Sequence, residues 1–338
     1  MALQDATAAP PHSYAIIMHI NICSHNLWLD GLPRTSRAAQ FVLSDSMKIL
    51  NAMPPYNLFG VENPDFKDAM IAVLPIPYDS TVTYKSGSRD GPHAIIDASR
   101  NMEMYSEEFD GDVTQLGIYT LEEMAPNLNS PEENINMIQK EVSNILDNGK
   151  IPVILGGEHT VMVGAVRAVA AREKDMSVLH FDAHSDYRDS YSGSKFNHAC
   201  VMARAREACP SCFSVGIRST DEVAARKYGK DMLYRKDMHK MSLDDVVDAI
   251  VNRTKDNLYI TIDMDVMDPS EMPSLGTPEP DGLSFYELTY ILRGVLSKKK
   301  LLGIDFNELC PIPGMIAPNY LVAKLVYMAL GYAFFAKK

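Results

Sequence analysis

Three potential metal ligands lie within five residues of this sequence. Asp182, His184 and Asp186 follow an apolar run at residues 176–179. At the end of an extended strand, alternate side chains point to the same side, so these three can converge on one point. Carboxylate oxygens and an imidazole nitrogen form a donor set suited to a divalent metal ion. The spacing therefore predicts a metal site at a strand end.

Two further clusters also place potential metal ligands at the end of an apolar run. Asp263 and Asp265 end a second apolar run at an i, i+2 spacing, and His159 follows a third run, in Gly-Gly-Glu-His-Thr at 156–160. A single acid at such a position is most often a helix N-cap. Open α/β sheets, however, place their sites at the carboxyl ends of strands, where three such clusters would meet. The candidates hold too many carboxylates for one open catalytic ion and suit two ions bridged by water; they are His159, Asp182, His184, Asp186, Asp263 and Asp265.

Strands and helices alternate along the chain around these clusters. Apolar runs predict strands at residues 69–75, 151–155, 177–181, 213–217, 232–234, 258–262 and 301–306. Helical spacing and end signals predict helices at residues 92–105, 130–148, 160–172, 197–208, 242–252, 284–296 and 319–335. The strand runs are mainly apolar rather than alternating, which is typical of a parallel sheet covered on both faces. We therefore predict an α/β fold, a three-layer α/β/α sandwich with a mainly parallel sheet.

The composition of the chain argues against some classes of binding partner and indicates a cellular compartment. The formal charge of −12 argues against nucleic acid and anionic membranes as partners. No apolar run approaches the ~20 residues of a membrane span. Five scattered cysteines, an odd number, are typical of a reducing cytosol, so we expect a cytoplasmic location. Cys209 and Cys212 have C-x-x-C spacing, but with no second pair nearby we interpret this segment as a loop entering a strand rather than a zinc or redox motif.

The first 46 residues differ from the rest of the chain. They lack a clear period, and the apolar patch at residues 14–23 has no basic segment before it, so a signal peptide is not expected. We predict that residues 1–46 are a disordered leader, or that translation begins near Met47. Residues 47–338 are then expected to form a single domain.

Three motifs, in this order, resemble those of the ureohydrolases, the arginase and agmatinase family. They are Gly-Gly-Glu-His-Thr at 156–160, Asp-Ala-His-Ser-Asp at 182–186 and Ile-Asp-Met-Asp-Val-Met-Asp-Pro at 262–269. The resemblance covers residues from about 65 to 335 and implies an arginase-like fold. It also implies hydrolysis of a guanidinium group to urea and an amine at two Mn²⁺ ions per subunit. By the same analogy, the protein is expected to be a homo-oligomer, a trimer or a hexamer.

The resemblance also assigns the metal ligands. One Mn²⁺ would bind His159, Asp182, Asp186 and Asp263, and the other would bind Asp182, His184, Asp263 and Asp265. Asp182 and Asp263 would bridge the two ions together with a hydroxide. Two divalent ions lower the pKa of a bridging water, and a delocalised guanidinium carbon requires such a strong nucleophile. A carboxylate-rich site suits manganese, although ligand type alone leaves zinc, iron and cobalt open.

Two further positions match catalytic residues of the family. Glu308, at a strand end, matches a glutamate that pairs with the guanidinium, and a carboxylate can accept two parallel N–H bonds from that group. His198, twelve residues after Asp186, matches a proton-shuttling histidine that can protonate the leaving amine. Each also has a plain structural interpretation, as a solvated strand-end acid for Glu308 and as a helix N-terminal histidine for His198.

Two neighbours of the motifs are not assigned as ligands. His180 points away from Phe181 along the strand, so we expect it to lie outside the site. Glu158, beside His159, is interpreted as a helix cap or a group behind the ligands.

The choice of substrate within the family depends on less direct signals. Gly-Thr-Pro-Glu-Pro at 276–280 resembles the agmatinase form, whereas only Ser-Gly at 192–193 remains of the arginase segment that holds the substrate carboxylate. Agmatine, a dication without a carboxylate, suits an acidic pocket mouth. We therefore expect hydrolysis of agmatine to putrescine and urea, a step of polyamine biosynthesis. Glu279 and Glu308 are the expected substrate contacts, and the acids available for the substrate amine are Asp189, Asp221, Glu279 and Asp281.

Three alternatives stay open from the sequence. The same centre could act on aminopropylagmatine, guanidinobutyrate or arginine. A deacetylase-like zinc hydrolase resembles ureohydrolases in fold, but it normally binds one zinc ion through fewer carboxylates. A non-catalytic homologue that acts as a binding partner typically lacks a ligand, whereas all six candidates are present here. A small cationic guanidino compound is therefore the expected partner.

Overall fold

The computed structural model describes residues 53–335. Within this range eight strands form one sheet: β1 Ile71–Ile76, β2 Ile118–Thr120, β3 Ile151–Gly156, β4 Met176–Phe181, β5 Cys212–Ile217, β6 Met232–Tyr234, β7 Asn257–Asp263 and β8 Lys300–Asn307. The spatial order is β2-β1-β3-β8-β7-β4-β5-β6, and every neighbouring pair is parallel. The prediction for residues 1–46 lies outside the described residues.

Helices cover both faces of the sheet. They are α1 Gly91–Ser99, α2 Pro131–Asp147, α3 Val161–Arg172, α4 Val201–Ala208, α5 Glu222–Tyr228, α6 Arg235–Met238, α7 Leu243–Arg253, α8 Phe285–Leu296 and α9 Ala317–Phe334. Buried residues of α1 and α6 to α9 pack against one face, and those of α2 to α5 pack against the other. The predicted three-layer α/β/α sandwich is therefore confirmed. No helix within residues 53–335 combines the length and the apolar character needed to cross a bilayer.

Strand β4 shows why mainly apolar runs build this fold. Met176 and Val178 lie in the core under α2 to α5, whereas Leu179 and Phe181 lie in the core under the other helices. Successive side chains of a strand point to opposite faces, so a run with apolar residues at both odd and even positions contributes to two layers. All six residues of β4 are buried. The composition of the run therefore predicts a place in the middle of the sheet.

Two helix starts agree closely with the sequence signals. α7 begins after Ser242 and α8 begins after Ser284, and each serine forms a capping box with the acid three residues later, Asp245 and Glu287. A capping box satisfies backbone N–H groups that have no partner inside the helix. Each N-cap side chain contributes about 1 kcal/mol.

The largest boundary error concerns α1, which was expected to continue to residue 105 but ends at Ser99. The Ser99 hydroxyl donates to the Ile96 carbonyl and accepts from the Phe59 N–H, each at 2.8 Å. Arg100 donates to the Pro54 carbonyl at 2.7 Å. Contacts with the preceding segment therefore end this helix. β2, α5 and α6 were not predicted, because they are short and their sequences lack a clear apolar run or helical period.

The four central strands position the candidate site. β3, β8, β7 and β4 are adjacent and parallel, so their carboxyl ends lie at the same edge of the sheet. Every cluster singled out in the sequence follows one of these strands. β3 and β4 are consecutive in the chain but are separated in space by β8 and β7. Residues from four distant segments consequently meet at one edge, where sites of open α/β sheets lie.

Candidate metal centre

His159 lies just beyond β3, and its Nδ1 atom faces three carboxylates. Nδ1 is 3.3 Å from Asp182 Oδ2, 3.5 Å from Asp186 Oδ2 and 3.3 Å from Asp263 Oδ2. The imidazole is fully buried, and Nδ1 has no hydrogen-bond partner among the described residues. Burying several carboxylates together is unfavourable unless a cation compensates them. One nitrogen and three carboxylate oxygens around a single point fit a divalent metal ion.

Asp182 connects this group to a second one. Its Oδ2 atom faces His159, and its Oδ1 atom lies 3.6 Å from His184 Nδ1. The same His184 nitrogen is 2.8 Å from Asp265 Oδ2. The structure therefore brings the six candidate ligands together, with the Asp182 carboxylate between the two histidines. Asp263 turns Oδ2 towards His159, while its Oδ1 accepts the Asp265 N–H at 2.9 Å.

The segment after β4 is a fixed loop rather than an extended strand end. β4 ends at Phe181, and Asp186 adopts a φ of 53°. A left-handed backbone at a residue other than glycine is strained and persists only where its surroundings hold it. Here the Asp186 carbonyl accepts the Met202 N–H at 3.0 Å, and Asp182 N–H donates to the Val215 carbonyl at 3.1 Å. The strand ends at residue 181 as predicted, and the three ligands converge because of this turn rather than through the alternation of an extended strand.

A hydrogen-bond relay holds the His159 ring from behind. His159 Nε2 lies 2.8 Å from Thr261 Oγ1, and the Thr261 hydroxyl donates to Asp305 Oδ1 at 2.5 Å. Tyr259 donates to Asp305 Oδ2 at 2.6 Å, and the Asn307 amide donates to Oδ1. Because the single hydroxyl proton of Thr261 goes to Asp305, the hydroxyl oxygen accepts from His159 Nε2–H. A neutral His159 therefore presents the lone pair of Nδ1 to the carboxylates.

His180 contacts the site, contrary to the expectation from sequence. Its Nε2 atom is 2.7 Å from Asp182 Oδ2, and its Nδ1 atom is 3.0 Å from Ser214 Oγ. Pointing away from Phe181 places His180 on the same side as Asp182, two residues along the chain. The i, i+2 spacing of the two residues was the sequence signal for this contact. His180 thereby fixes the orientation of the central carboxylate.

The clustered groups bind protons in competition with a metal ion. Burial raises the pKa of Asp263 well above its usual range, and neighbouring Asp265 and Asp182 raise it further. Burial also raises the pKa of Asp265, although His184 acts in the opposite direction. Burial lowers the pKa of His159, but the surrounding carboxylates outweigh it and hold that pKa well above its ordinary value. A divalent ion bound here would displace these protons.

Glu308 and His198 lie beside the cluster. Glu308, at the end of β8, has a φ of 66°, and its N–H donates to the Gly157 carbonyl at 2.7 Å. Its Oε1 atom accepts the His159 N–H at 2.8 Å and lies 3.7 Å from His198 Nδ1. His198 Nε2 is 3.0 Å from Thr83 Oγ1. Glu308 is buried, so it is not the solvated strand-end acid that was the alternative interpretation of this residue.

Glu158 supports His198 through a threonine. Its carboxylate accepts the Thr81 N–H at 2.6 Å, the Thr81 hydroxyl at 2.7 Å and the Thr160 hydroxyl at 2.5 Å. Thr81 Oγ1 in turn accepts the His198 N–H at 3.0 Å. Burial raises the pKa of Glu158 to about 7. These contacts agree with the interpretation of Glu158 as a group behind the ligands.

A cavity of about 240 Å³ opens from the cluster to the surface. His184, Asp186 and Asp263 of the cluster line this cavity, and so does His198. Asp221, one of the four acids that the sequence offered for a substrate amine, also lines it.

The other three acids have different surroundings. Asp189 Oδ1 lies 2.7 Å from Arg204, and Asp281 Oδ1 lies 2.8 Å from His239. Glu279 Oε1 is 3.6 Å from His184 Nε2. Among the four, Asp221 alone belongs to the cavity wall within the described part of the chain.

Comparisons with known proteins agree with this geometry. A model of the arginase family matches residues 69–331. The chain belongs to the arginase family. The resemblance seen in the three motifs is thereby confirmed, and the protein is a ureohydrolase that acts on guanidino C–N bonds.

Relatives that are named for two different substrates have similar sequence identity to this ureohydrolase. The N(1)-aminopropylagmatine ureohydrolase of Synechocystis sp. is 34% identical over 280 residues, which cover 79% of this chain and 90% of that protein. The agmatinase of Pyrococcus horikoshii is 34% identical over 283 residues, which cover 82% of this chain and 97% of that protein. The crystal structure of the agmatine ureohydrolase of Thermoplasma volcanium matches with a TM-score of 0.74 and 33% identity, covering 80% of this chain and 92% of that one.

Proposed function

We propose that this ureohydrolase is an agmatinase, which hydrolyses agmatine to putrescine and urea with two Mn²⁺ ions. The observation that carries the proposal is the cavity that joins the carboxylate cluster to Asp221. Agmatine has a guanidinium at one end and an ammonium at the other, and the lining of this cavity holds the cluster carboxylates Asp186 and Asp263 together with the separate carboxylate of Asp221. The site therefore matches both charges of the substrate.

The donor set supports a pair of manganese ions. His159, Asp182, Asp186 and Asp263 would hold one ion, and Asp182, His184, Asp263 and Asp265 would hold the other. Carboxylate-rich sites suit Mn²⁺. When bound, such ions supply a water nucleophile of lowered pKa.

Glu308 would hold the guanidinium for attack. The His159 N–H and the Gly157 carbonyl fix the position of this residue, so its carboxylate is oriented before substrate binds. A carboxylate can accept two parallel N–H bonds from a guanidinium, which orients the plane of the group. Holding the reacting carbon in one orientation lowers the entropic part of the barrier.

His198 would protonate the leaving amine. Burial lowers the pKa of His198, but the nearby Glu308 carboxylate outweighs it and raises the pKa to about 9. The imidazole is therefore protonated near neutral pH, which is the form a general acid requires. The backbone contact with Thr81 and the side-chain contact with Thr83 hold it at the cavity wall.

Asp221 would bind the distal ammonium of the substrate. In this proposal it replaces Glu279, which was expected from the sequence to contact the substrate. Its Oδ1 atom caps α5 by accepting the Ala224 N–H at 3.0 Å, which holds the side chain in place. Its Oδ2 atom lies 3.9 Å from Arg188 Nε. An ion pair at this distance, with the arginine 45% exposed, is weak enough for a substrate ammonium to displace.

A second candidate is hydrolysis of N(1)-aminopropylagmatine. A relative with this name is as similar to the chain as a relative named agmatinase. The cavity lining also includes the partly exposed Arg188 and Tyr191, so a longer amine could extend past Asp221 along these side chains.

Urea release from Mn²⁺-loaded protein tests the function directly. Arginine, agmatine, guanidinobutyrate and aminopropylagmatine would be compared at equal concentrations. Urea mainly from agmatine supports the proposal, and urea mainly from aminopropylagmatine supports the second candidate. Urea mainly from a carboxylate-bearing guanidine would contradict the role of Asp221. No urea from any of the four, with two metals bound, would contradict the substrate class.

The assembly and compartment are proposed by analogy. We propose a cytoplasmic homo-oligomer, a trimer or a hexamer, because the family resemblance implies these states. The four cysteines within residues 53–335 are free thiols, which supports a reducing compartment. Light scattering on the purified protein gives the oligomeric mass, and a monomeric mass at working concentration would contradict the proposal.

A further inference from the structure

A thiol pair lies at the corner where α4 leads into β5, at the sheet edge opposite the metal cluster. Cys209 is the C-cap of α4, and Cys212 is the first residue of β5. Cys212 Sγ is 3.1 Å from the Cys209 carbonyl oxygen, and Cys209 Sγ is 3.4 Å from the Ser211 carbonyl oxygen. The loop and the strand agree with the interpretation from sequence. The folded corner adds a chemical property, because it packs both sulfur atoms into one tight turn.

Cys209 differs from other thiols of the described chain. The adjacent Cys212 thiol lowers the pKa of Cys209 below its ordinary value, whereas burial and Cys209 raise the pKa of Cys212. Burial raises the pKa of Cys200 to about 11 and also raises that of Cys310. The thiolate is the nucleophilic form of cysteine, so reactivity at neutral pH is concentrated on Cys209.

The corner adjoins a cavity, and both cysteines are buried beside it. This cavity has a volume of about 520 Å³, and Cys209 and Ser211 line it together with Lys174, Lys255 and Glu173. Lys255 is also paired with Asp175 at 3.1 Å, so the two lysines of the lining are balanced by two carboxylates.

We propose that Cys209 and Cys212 are a reactive dithiol that closes to an intrachain disulfide on reaction with a small disulfide oxidant such as glutathione disulfide. The Cys209 thiolate attacks one sulfur of the oxidant, which forms a mixed disulfide and releases one glutathione thiolate. The Cys212 thiol then loses its proton and attacks the Cys209 sulfur, which releases the second glutathione thiolate. Two protein thiols are oxidised and one oxidant disulfide is reduced to two thiols.

This disulfide would lie at one end of a helix whose other end supports the metal loop. The first turn of α4 donates the Met202 N–H to the Asp186 carbonyl at 3.0 Å. Closing the Cys209–Cys212 bond ties the C-cap residue of that helix to the first residue of β5. The modification site and the metal loop are therefore connected by eight helical residues.

Peptide mass analysis of the native protein tests the proposal. The full-length, Mn²⁺-loaded protein would be incubated with glutathione disulfide at neutral pH, alkylated and digested with trypsin. Residues 207–218 form one tryptic peptide that contains both cysteines and no other, so Cys23 does not interfere. We expect this peptide to become lighter by about 2 Da, the mass of two hydrogens, to resist alkylation and to recover on reduction.

Variants separate the two steps and exclude unfolding. Cys212→Ser is expected to stop at a glutathione adduct on Cys209, and Cys209→Ser is expected to leave Cys212 free for alkylation. Cys200→Ser and Cys310→Ser are matched controls and should form the disulfide as the unmodified protein does. The proposal is wrong if the native peptide still takes up two alkyl groups, or if the disulfide forms only after unfolding in urea. Because the readout is a peptide mass, its result does not depend on which guanidine is the substrate.

Discussion

The Thr261 hydroxyl donates a 2.5 Å hydrogen bond to Asp305 and lies 2.8 Å from His159 Nε2. Thr261 and Asp305 are direct register partners on β7 and β8. The pairing of two strands therefore decides which nitrogen of His159 carries the proton. Groups that hydrogen-bond a ligand histidine in this way orient the ring and are typically worth 10–100-fold in metal affinity.

We predict that Thr261→Val weakens Mn²⁺ binding by about 10-fold or more, because valine keeps the shape of threonine but cannot accept from His159. Titration calorimetry on chelator-stripped protein measures the effect. Thr254→Val is the matched control, since this buried hydroxyl donates to the Ile250 carbonyl at 2.8 Å, in α7. Equal affinities for both variants and the unmodified protein would show that Thr261 does not orient the ligand.

Asp265→Ala is expected to lose metal and nearly all urea release while the chain stays folded. The substitution removes the carboxylate that lies 2.8 Å from His184 Nδ1. Elemental analysis gives the metal content per chain, and circular dichroism checks the fold. Asp175→Ala, which changes a carboxylate that is 81% exposed, serves as the control and should keep two ions. Full activity of the unmodified protein with one Mn²⁺ per chain would contradict the two-metal site.

Mn²⁺ affinity is expected to rise with pH. The pKa values of Asp263 and His159 are raised in the cluster, so both groups keep protons at pH values above their ordinary ranges. A metal ion must displace those protons, and each one displaced makes the affinity about 10-fold higher per pH unit until its group has titrated. Calorimetry in buffers of different ionisation enthalpy counts the protons released. An affinity unchanged between about pH 6 and pH 8, with no proton release, would contradict the raised pKa values.

His198→Asn should lower kcat by about 10²- to 10⁴-fold, the usual contribution of a general acid. The metal content should not change, because His198 is not among the proposed ligands. In the unmodified protein, activity should fall as the pH rises through about 9, where His198 loses its proton. That alkaline limb should be absent from the pH profile of the variant. A variant that keeps both kcat and the limb would remove His198 from the reaction.

Asp221→Asn is expected to raise KM for agmatine by about 10-fold or more with a smaller effect on kcat, since a lost charge-assisted contact costs about 1.5–3 kcal/mol. Asparagine still caps a helix, so α5 should remain in place. Asp189→Asn is the matched control, because that acid is paired with Arg204. If both variants keep the original KM, the distal ammonium is bound elsewhere.

The central strands and the ligand clusters could be predicted because their signals are local. The apolar run of β4 and the spacing of Asp182 and His184 depend on neighbouring residues only. The relay behind His159 could not be predicted in the same way. Thr261 and Asp305 are polar residues within buried strands, and their contact depends on the register between β7 and β8.

The contacts of individual acidic residues could not be predicted from the sequence either. Asp189, Asp221 and Asp281 have the same side chain, and only the fold places Asp221 at the cavity wall. The end of α1 depends on Phe59, which is 40 residues from Ser99. Long-range contacts such as these override local helix preference.

The strand order also determines when the site can form during folding. The first six strands of the chain make two separate groups, β2-β1-β3 and β4-β5-β6, and the last two strands lie between them. Before β7 and β8 are inserted, His159 and Asp182 belong to sheets that do not touch. Such long-range parallel pairing is slow to form and exposes strand edges while it is incomplete. A growing chain on the ribosome therefore cannot assemble the metal ligands until its final quarter has been made. Until then, the edges of β3 and β4 that will pair with β8 and β7 remain unpaired.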